Sequence, residues 1–409
     1  MDSAIVHPAI SIPFLFILLT FLSHGIIASA FLGINYGRIA DNLPPPEKAV
    51  SLVQSIGASK VKIFDVEPSV ITAFANTNIE LIVGLGNQYL QQMRNPDAAR
   101  TWVTNNIQPY LPATKISGID VGNEVLTLSD SVLRISLFPA MQNVYQALVE
   151  LGLEKQVIVT TTHALNILEN SYPPSSGSFR QDLMGEIDSI VKFHKQTGSP
   201  FLINAYPFFV YKENPKETSL DFVLFRPSQG FADPSTNLHY DNMLLAQVDA
   251  VYNALASLDA KELAVHISET GWPSKGDNNE DGATPEFAEE YNTKLMKLVS
   301  ERKGTPMRPE SELNAYIFAL FNEDLKPGPT SERNFGLFKP DGSPAYALQL
   351  TQPSGKDYGI GTNLTGSGMD LGFFFPTSFS PPESSKIPFY SLGKSCHIIL
   401  QLLFYFFLF

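Results

Sequence analysis

The sequence predicts an α/β fold, a (β/α)₈ TIM barrel formed by one domain with a flexible C-terminal tail. Eight short segments rich in β-branched and apolar residues recur along the chain, and helix-period segments lie between them. The strand segments are apolar along their length, which is typical of parallel strands buried on both faces. A doubly wound open sheet is the alternative, but it would require a glycine-rich phosphate loop after an early strand, and the sequence contains none.

The predicted elements follow one another along most of the chain. The strands are FLGINYG from Phe31, KVKIFDV from Lys60, IELIVGLG from Ile79, KISGIDVGNEV from Lys115, QVIVTTTHA from Gln156, FLINAYPFF from Phe201, LAVHISETGWP from Leu263 and NAYIFALFNED from Asn314. Helical periodicity covers residues 46–56, 96–110, 131–151, 237–258 and 285–300. The first of these helices opens with Pro and Glu and closes at Gly57, and the third is followed by Gly152, as is typical of helix ends.

The charge and the reactive side chains exclude several classes of function. The net charge of -13 argues against nucleic acid or an anionic membrane surface as the main partner, and it is compatible with a neutral substrate. Cys396 is the only cysteine, so no disulfide framework or thiolate metal site is expected. The histidines lack the spacing of a metal site: His163 is expected at a loop edge, and His194 and His239 are expected to be solvated in helices. We therefore expect no metal and no cofactor.

Both ends of the chain carry targeting signals. An apolar run at residues 12–22 precedes the small-x-small pattern of residues 28–30, which predicts a signal peptide over residues 1–30 and a secreted protein. Residues 31–350 form the predicted barrel domain, and residues 351–385 have the Ser, Gly and Pro composition of a linker, with a glycosylation sequon at Asn363. Residues 386–409 end in a short apolar tail that predicts a GPI-anchor signal, with the anchor attached near Ser384 or Ser385. A tail-anchored span or a plain apolar end is the alternative.

Two glutamates lie at predicted strand ends, where catalytic groups of such barrels are found. Glu124 ends the fourth strand and Glu269 ends the seventh. Two carboxyl groups across a barrel mouth are what glycoside hydrolysis requires, although either one alone could equally be a surface ion pair or a helix cap. Strict alternation would turn Ile267 inward with Glu269 and Ser268 toward the helices. Asp120 shares the inward parity of Glu124 and would need a partner, because an unpaired buried charge is costly.

Seven segments in order carry a specific resemblance. LAVHISETGWPSKG from Leu263 resembles the signature of glycoside hydrolase family 17, the plant endo-β-1,3-glucanases. The other six are GINYG at Gly33, VKIFDVEP at Val61, GLGNQYL at Gly84, VGNEV at Val121, NAYPFF at Asn204 and FNEDLKPGPTSERNFGLFKPDGSPAY at Phe321. The resemblance covers residues 31–350 and implies a (β/α)₈ barrel with retaining chemistry.

The resemblance also implies residue roles. Glu124 is then the general acid/base and Glu269 the nucleophile. Asn123 would bind the sugar 2-hydroxyl, and Tyr36 and Tyr206 would line the groove. Two further residues complete the set: Glu323 borders the site and tunes its charges, and Trp272 shapes the cleft floor or, as an alternative, simply packs in the core.

The expected function is endo-hydrolysis of callose-type β-1,3-glucan at the extracellular face of the plasma membrane or in the cell wall, by a GPI-anchored monomer. Two alternatives stay open. The barrel could bind wall glucan without cutting it, or it could hydrolyse mixed 1,3;1,4-β-glucan, because groove shape decides the linkage.

Overall fold

The barrel predicted from the sequence is confirmed by the computed structural model, which describes residues 30–348. Eight parallel strands close into a ring in which β8 pairs with both β7 and β1. All eight lie in the predicted segments. The strands are β1 (Leu32–Tyr36), β2 (Lys60–Ile63), β3 (Glu80–Leu85), β4 (Lys115–Asn123), β5 (Ile158–Ala164), β6 (Phe201–Asn204), β7 (Val265–Thr270) and β8 (Ala315–Ile317).

Nine α-helices lie in the described part of the chain. They are α1 (Pro46–Ser55), α2 (Pro68–Ala73), α3 (Pro96–Asn106), α4 (Ser131–Glu150), α5 (Met184–Thr197), α6 (Pro207–Glu213), α7 (Leu220–Val223), α8 (Met243–Ala256) and α9 (Pro285–Ser300). Five of them match the predicted helices. The predicted helix 237–258 begins only at Met243, because the Asn242 side chain caps it by accepting from the Leu245 N–H. The residues before that cap belong to a short hairpin, Phe231–Ala232 paired with His239–Tyr240.

Helix α5 lies outside the five predicted helix ranges, although His194 within it was expected to be helical. Its buried residues Ile187, Ile190, Val191 and His194 recur at helical spacing and form one face against the barrel. His194 is fully buried, and its Nδ1 lies 2.7 Å from Ser199 Oγ, so the expectation that it is solvated was wrong. His163 is also buried, stacked 4.7 Å from the Phe201 ring rather than at a loop edge. His239 is exposed as expected, but in the hairpin rather than in a helix.

The barrel interior is apolar near its N-terminal end and polar toward its mouth. Phe31, Ile82 and Tyr316 form a buried cluster of their own, and His266 packs edge-on against Phe31 at 5.3 Å. Nearer the mouth the interior holds fully buried polar side chains, with Lys62 at their centre. The polar layer therefore lies toward the ends of the strands that carry Glu124 and Glu269.

Several predictions fall on residues 1–29 and 349–409, which lie outside the described residues. They are the signal peptide, the linker with its sequon at Asn363 and the GPI-anchor segment. Among residues 30–348, no helix combines the length and the apolar character needed to cross a membrane.

Candidate active site

Glu124 directly follows β4 and is held at the barrel mouth by its backbone. It adopts a left-handed conformation with φ of 54°, and its N–H donates to the Thr162 carbonyl at 2.9 Å. The preceding residue, Asn123, is fixed by Asn87, whose side chain accepts from the Asn123 N–H at 2.8 Å and donates to its carbonyl at 3.1 Å. The Asn204 side chain, at the end of β6, donates to Glu124 Oε1 at 2.7 Å. The carboxyl group of Glu124 therefore has a defined orientation.

Glu269 lies near the end of β7 and is 7% exposed. Its Oε2 accepts from the Tyr206 hydroxyl at 2.9 Å, and its Oε1 lies 3.4 Å from the Lys62 ammonium. In the β6–β7 ladder Glu269 is opposite Asn204, the residue that donates to Glu124. Asn204 thus connects the two carboxyl groups: it hydrogen-bonds one and is the strand partner of the other.

The expected alternation along β7 was wrong at Ser268. The register between β7 and β6 shifts between Ile267 and Glu269, as at a β-bulge. Because of this shift, the side chains of both Ser268 and Glu269 contact Lys62, at 2.8 and 3.4 Å. Ile267 packs in the main core instead of lining the barrel beneath Glu269.

The partner that Asp120 required is Lys62. The Lys62 side chain is fully buried, and its ammonium lies 3.1 Å from Asp120 Oδ2 and 3.0 Å from Thr162 Oγ1. Thr162 in turn donates to Asp120 Oδ2 at 2.7 Å. Burial alone would lower the pKa of Lys62, but the negative charges of Asp120 and Glu269 raise it above its usual value. Lys62 is therefore a buried cation between two carboxyl groups.

The two strand-end glutamates differ in their surroundings. Burial first and the charge of Glu269 second raise the pKa of Glu124, the hydrogen bond from Asn204 acts against both, and the net result is a pKa of about 7. Burial and the adjacent Glu269 also raise the pKa of Tyr206 well above its usual value, so its hydroxyl remains a donor. Glu124 thus retains a proton near neutral pH, whereas Glu269 is held by one cationic and one hydroxyl donor. Such an asymmetric pair suits an acid and a nucleophile.

Tyr36 and Trp272 are more deeply buried than groove residues would be. Tyr36 is 2% exposed and packs edge-on against Phe321 at 5.7 Å. Trp272 is fully buried, and its indole N–H donates to the Gly282 carbonyl at 2.8 Å. Packing against Phe208 at 5.2 Å gives Trp272 a core role, which favours the packing alternative over a place on the cleft floor.

Glu323 follows β8 and is 3% exposed. Its Oε1 accepts from the Ile39 N–H at 2.8 Å, so it ties the loop after β1 to the loop after β8. Burial raises the pKa of Glu323, while the nearby Lys326 acts against this shift. A Cβ atom at Gly37 would lie 2.4 Å from Glu323 Oε1, so the glycine leaves room for the carboxyl group.

Sequence reasoning missed Asn204 and Lys62. A usable signal existed for each: Asn204 ends a predicted strand at the same barrel end as both glutamates, and Lys62 is a charged residue within an apolar strand. Among residues 30–348 there is no group of three or more histidine, cysteine or acidic side chains arranged to hold a metal ion.

Comparisons with known proteins agree with this geometry. The model of the glycosyl hydrolases family 17 matches residues 32–350. Glucan endo-1,3-beta-glucosidase 11 of Arabidopsis thaliana is 53% identical over 372 residues, covering 89% of this chain and 87% of that protein. Glucan endo-1,3-beta-glucosidase 10 of the same plant is 56% identical over 335 residues, covering 81% and 79%.

Two solved structures share the fold at substantial identity. A β-1,3-glucanase and allergen of Cryptomeria japonica pollen superposes with a TM-score of 0.75 at 40% identity, covering 79% of this chain and 100% of that chain. One of two plant β-glucan endohydrolases described as having distinct substrate specificities gives a TM-score of 0.71 at 34% identity, covering 77% and 99%.

Proposed function

This chain belongs to glycosyl hydrolase family 17, and on that basis we propose that it is a glucan endo-1,3-β-glucosidase that cuts internal linkages of callose-type β-1,3-glucan. The observation that carries the proposal is the asymmetric pair at the barrel mouth. Glu124 has a raised pKa of about 7, and Glu269 is held by Lys62 and Tyr206. The reaction needs no metal or cofactor in this scheme.

The first step forms a glycosyl-enzyme. A carboxylate oxygen of Glu269 attacks the anomeric carbon while the glycosidic C–O bond breaks. The bond electrons go to the leaving oxygen, which takes the proton of Glu124. The raised pKa of Glu124 keeps that proton available near neutral pH. The Tyr206 hydroxyl holds the attacking carboxylate in place through Oε2.

The second step releases the sugar with its original configuration, as in retaining enzymes. Glu124 is now ionised and removes a proton from water, which attacks the anomeric carbon. The ester bond breaks, and its electrons return to the Glu269 carboxylate. Ester formation has removed the charge of Glu269 meanwhile, so one cause of the raised Glu124 pKa is absent during this step.

We assign substrate-binding roles to the residues around the pair. The Asn123 amide would bind the sugar 2-hydroxyl, and its Oδ1 has no hydrogen-bond partner among residues 30–348. Tyr206 would line the groove beside Glu269. Tyr36, Trp272 and Glu323 would act through their packing and charge, since each is at most 3% exposed.

The decisive experiment is hydrolysis of laminarin by the secreted wild-type protein beside Glu124→Gln and Glu269→Gln variants. We expect both variants to lose at least about a thousandfold in kcat. Glu80→Gln is the matched control, because Glu80 lies at the opposite end of the barrel, paired with Lys60 at 2.9 Å. Folded wild-type protein that binds laminarin without cleaving it would leave the glucan-binding alternative in its place.

The linkage is tested in the same assay. Mixed 1,3;1,4-β-glucan is supplied in parallel, because one structurally similar protein belongs to a pair of plant β-glucan endohydrolases with distinct specificities. Preference for laminarin supports the 1,3-specific assignment, and preference for the mixed polymer replaces it.

We propose further that the protein is secreted, carried at the outer face of the plasma membrane or in the cell wall by a GPI anchor, and monomeric. The support for secretion and for the anchor is the apolar segment at residues 12–22, the Ser- and Pro-rich stretch 351–385 and the apolar segment 397–409. Release of activity from intact cells by phosphatidylinositol-specific phospholipase C tests the anchor, and activity that stays bound after treatment argues against it. Light scattering of the released protein gives the mass and so tests the monomer.

A further inference from the structure

A buried cluster of polar side chains lies under Glu269, and the two-step scheme uses only its contact between Lys62 and Glu269. Lys62 on β2, Asp120 on β4, Thr162 on β5 and Ser268 on β7 meet inside the barrel, and each is at most 3% exposed. An ammonium group in that position is costly unless it is paired. The cluster supplies three oxygen atoms to the ammonium group of Lys62, and Glu269 supplies a fourth. Apolar side chains would fill the barrel interior at a lower desolvation cost, which points to a functional role for the buried charges.

We propose that Lys62 and Asp120 form a charge-balancing pair for the proposed reaction. Lys62 is the positioning residue that holds the carboxylate of Glu269, and Asp120 keeps the Lys62 ammonium compensated while Glu269 is esterified. This inference rests on the proposed function, since it concerns the charge changes of that mechanism.

The charges of the cluster change through the cycle. Before reaction, Lys62 lies between two carboxylates, at 3.1 Å from Asp120 and 3.4 Å from Glu269, and the three groups sum to one negative charge. When a Glu269 oxygen bonds to the anomeric carbon, that charge leaves with the alkoxide, which the proton of Glu124 neutralises. The cluster is then neutral, because Lys62 and Asp120 remain paired.

Without Asp120, the same step would leave a buried, uncompensated cation. The ammonium would then be bound to Glu269 as its sole carboxylate partner, which would weaken the nucleophile and disfavour the ester. In the structure Lys62 is instead bound mainly to Asp120, since its ammonium makes the shorter carboxylate contact with Asp120 and the longer one with Glu269. Thr162 strengthens the Asp120 side by donating to Oδ2 at 2.7 Å.

The test is the pH dependence of kcat/KM on laminarin for the full-length protein. The acidic limb of this profile reports protonation, in the free enzyme, of the groups that must be ionised for the reaction. The ionisable groups that face this carboxylate are Lys62, Asp120, Glu124, Tyr206 and Glu323. Lys62→Met alone would leave Asp120 buried without a cation and could unfold the barrel, so the informative variant is Lys62→Met/Asp120→Asn, which changes both partners.

The acidic limb of kcat/KM is expected to move in opposite directions in two of the variants. In Lys62→Met/Asp120→Asn the limb moves to higher pH by about one unit, and kcat/KM falls about tenfold to hundredfold, because Glu269 loses its cation. In Asp120→Asn the limb moves to lower pH, because Lys62 then serves Glu269 alone. Lys62→Arg, which keeps the charge, retains the wild-type limb. Opposite shifts are not what a purely structural cluster would produce.

The matched control lies on the same strand. Lys60 pairs with Glu80 at 2.9 Å near the other end of the barrel, so Lys60→Met/Glu80→Gln makes the same change of charge away from Glu269. If the folded Lys62→Met/Asp120→Asn variant keeps the wild-type limb and a kcat/KM within about threefold of this control, the charge-balancing role is overturned while the glucanase assignment stands. A folded wild-type protein that fails to cleave would instead remove the proposed function itself.

Discussion

The hydrogen bond from Asn204 to Glu124 should set the alkaline limit of the enzyme. Glu124 must carry a proton for the first step, and with a pKa of about 7 the protonated fraction falls to about a tenth at pH 8. The amide of Asn204 donates to Glu124 Oε1 at 2.7 Å and stabilises the ionised form. Replacing Asn204 by Leu removes that donor, so the pKa of Glu124 rises and the proton is kept to higher pH.

The size of the shift follows from the strength of this bond. A hydrogen bond to a charged group contributes about 1.5 to 3 kcal/mol, and one pKa unit corresponds to about 1.4 kcal/mol. The lower end of this range gives a shift of about one unit. The ratio of kcat/KM at pH 8 to that at pH 6 then rises about fivefold, from about 0.1 to about 0.5.

The assay is laminarin hydrolysis at low substrate concentration between pH 5 and 9, with folding checked by circular dichroism. Asn253→Leu is the matched control, because Asn253 also donates its amide hydrogens, but to the Ser175 and Gly177 carbonyls. A lower overall rate in Asn204→Leu does not affect the test, because only the pH of the alkaline limb of kcat/KM is compared. An alkaline limb that stays at the wild-type pH, or moves to lower pH, would refute the account of how Glu124 holds its proton.

Two further predictions concern the nucleophile and a buried carboxyl group on the flank of the barrel. Tyr206→Phe removes the donor to Glu269 Oε2 and should lower kcat/KM about tenfold to hundredfold. The control Tyr240→Phe removes a donor to Asp249 and should leave activity unchanged. Equal losses of kcat/KM in the two variants would contradict the role of Tyr206. Burial raises the pKa of Asp249 to about 6. The contribution of protonated Asp249 to the free energy of unfolding is therefore complete below pH 4 and is lost as pH rises through 6, a change of about 2 to 3 kcal/mol. Asp249→Asn should abolish this pH dependence, which urea unfolding at pH 4 and pH 7 measures. An unchanged pH dependence in that variant would show that Asp249 is not its source.

Much of the barrel was predictable because its signals are local. Eight apolar strands and the longer helices are visible as runs and periodicities, and Glu124 and Glu269 stand at strand ends in the sequence itself. His194 was expected to lie in a helix but to be solvated, whereas it belongs to the apolar face of α5, which recurs at helical spacing. A histidine on an apolar face is buried with that face, whatever its own polarity.

Contacts between strands that are distant in the sequence were harder to predict. The need of Asp120 for a partner was evident from its inward parity, but its identity was not, because Lys62 lies on β2 and reaches across the barrel to β4, β5 and β7. Likewise Asn204 meets Glu124 only because β6 and β4 both adjoin β5 in the ring. Such pairs depend on barrel closure, which no single segment encodes.

The register shift on β7 illustrates this most directly. Strict alternation predicts that Ser268 and Glu269 point to opposite faces of the sheet, and the sequence of the strand gives no reason to expect otherwise. The shift arises in the pairing of β7 with β6 and β8, where the ladder skips a residue on each side. It brings two consecutive side chains to the same ammonium group, so Lys62 can bind Glu269 and Ser268 together. The position of the nucleophile above the polar layer is therefore a property of the sheet, and a substitution that restored regular pairing on β7 would displace Glu269 without altering any catalytic group.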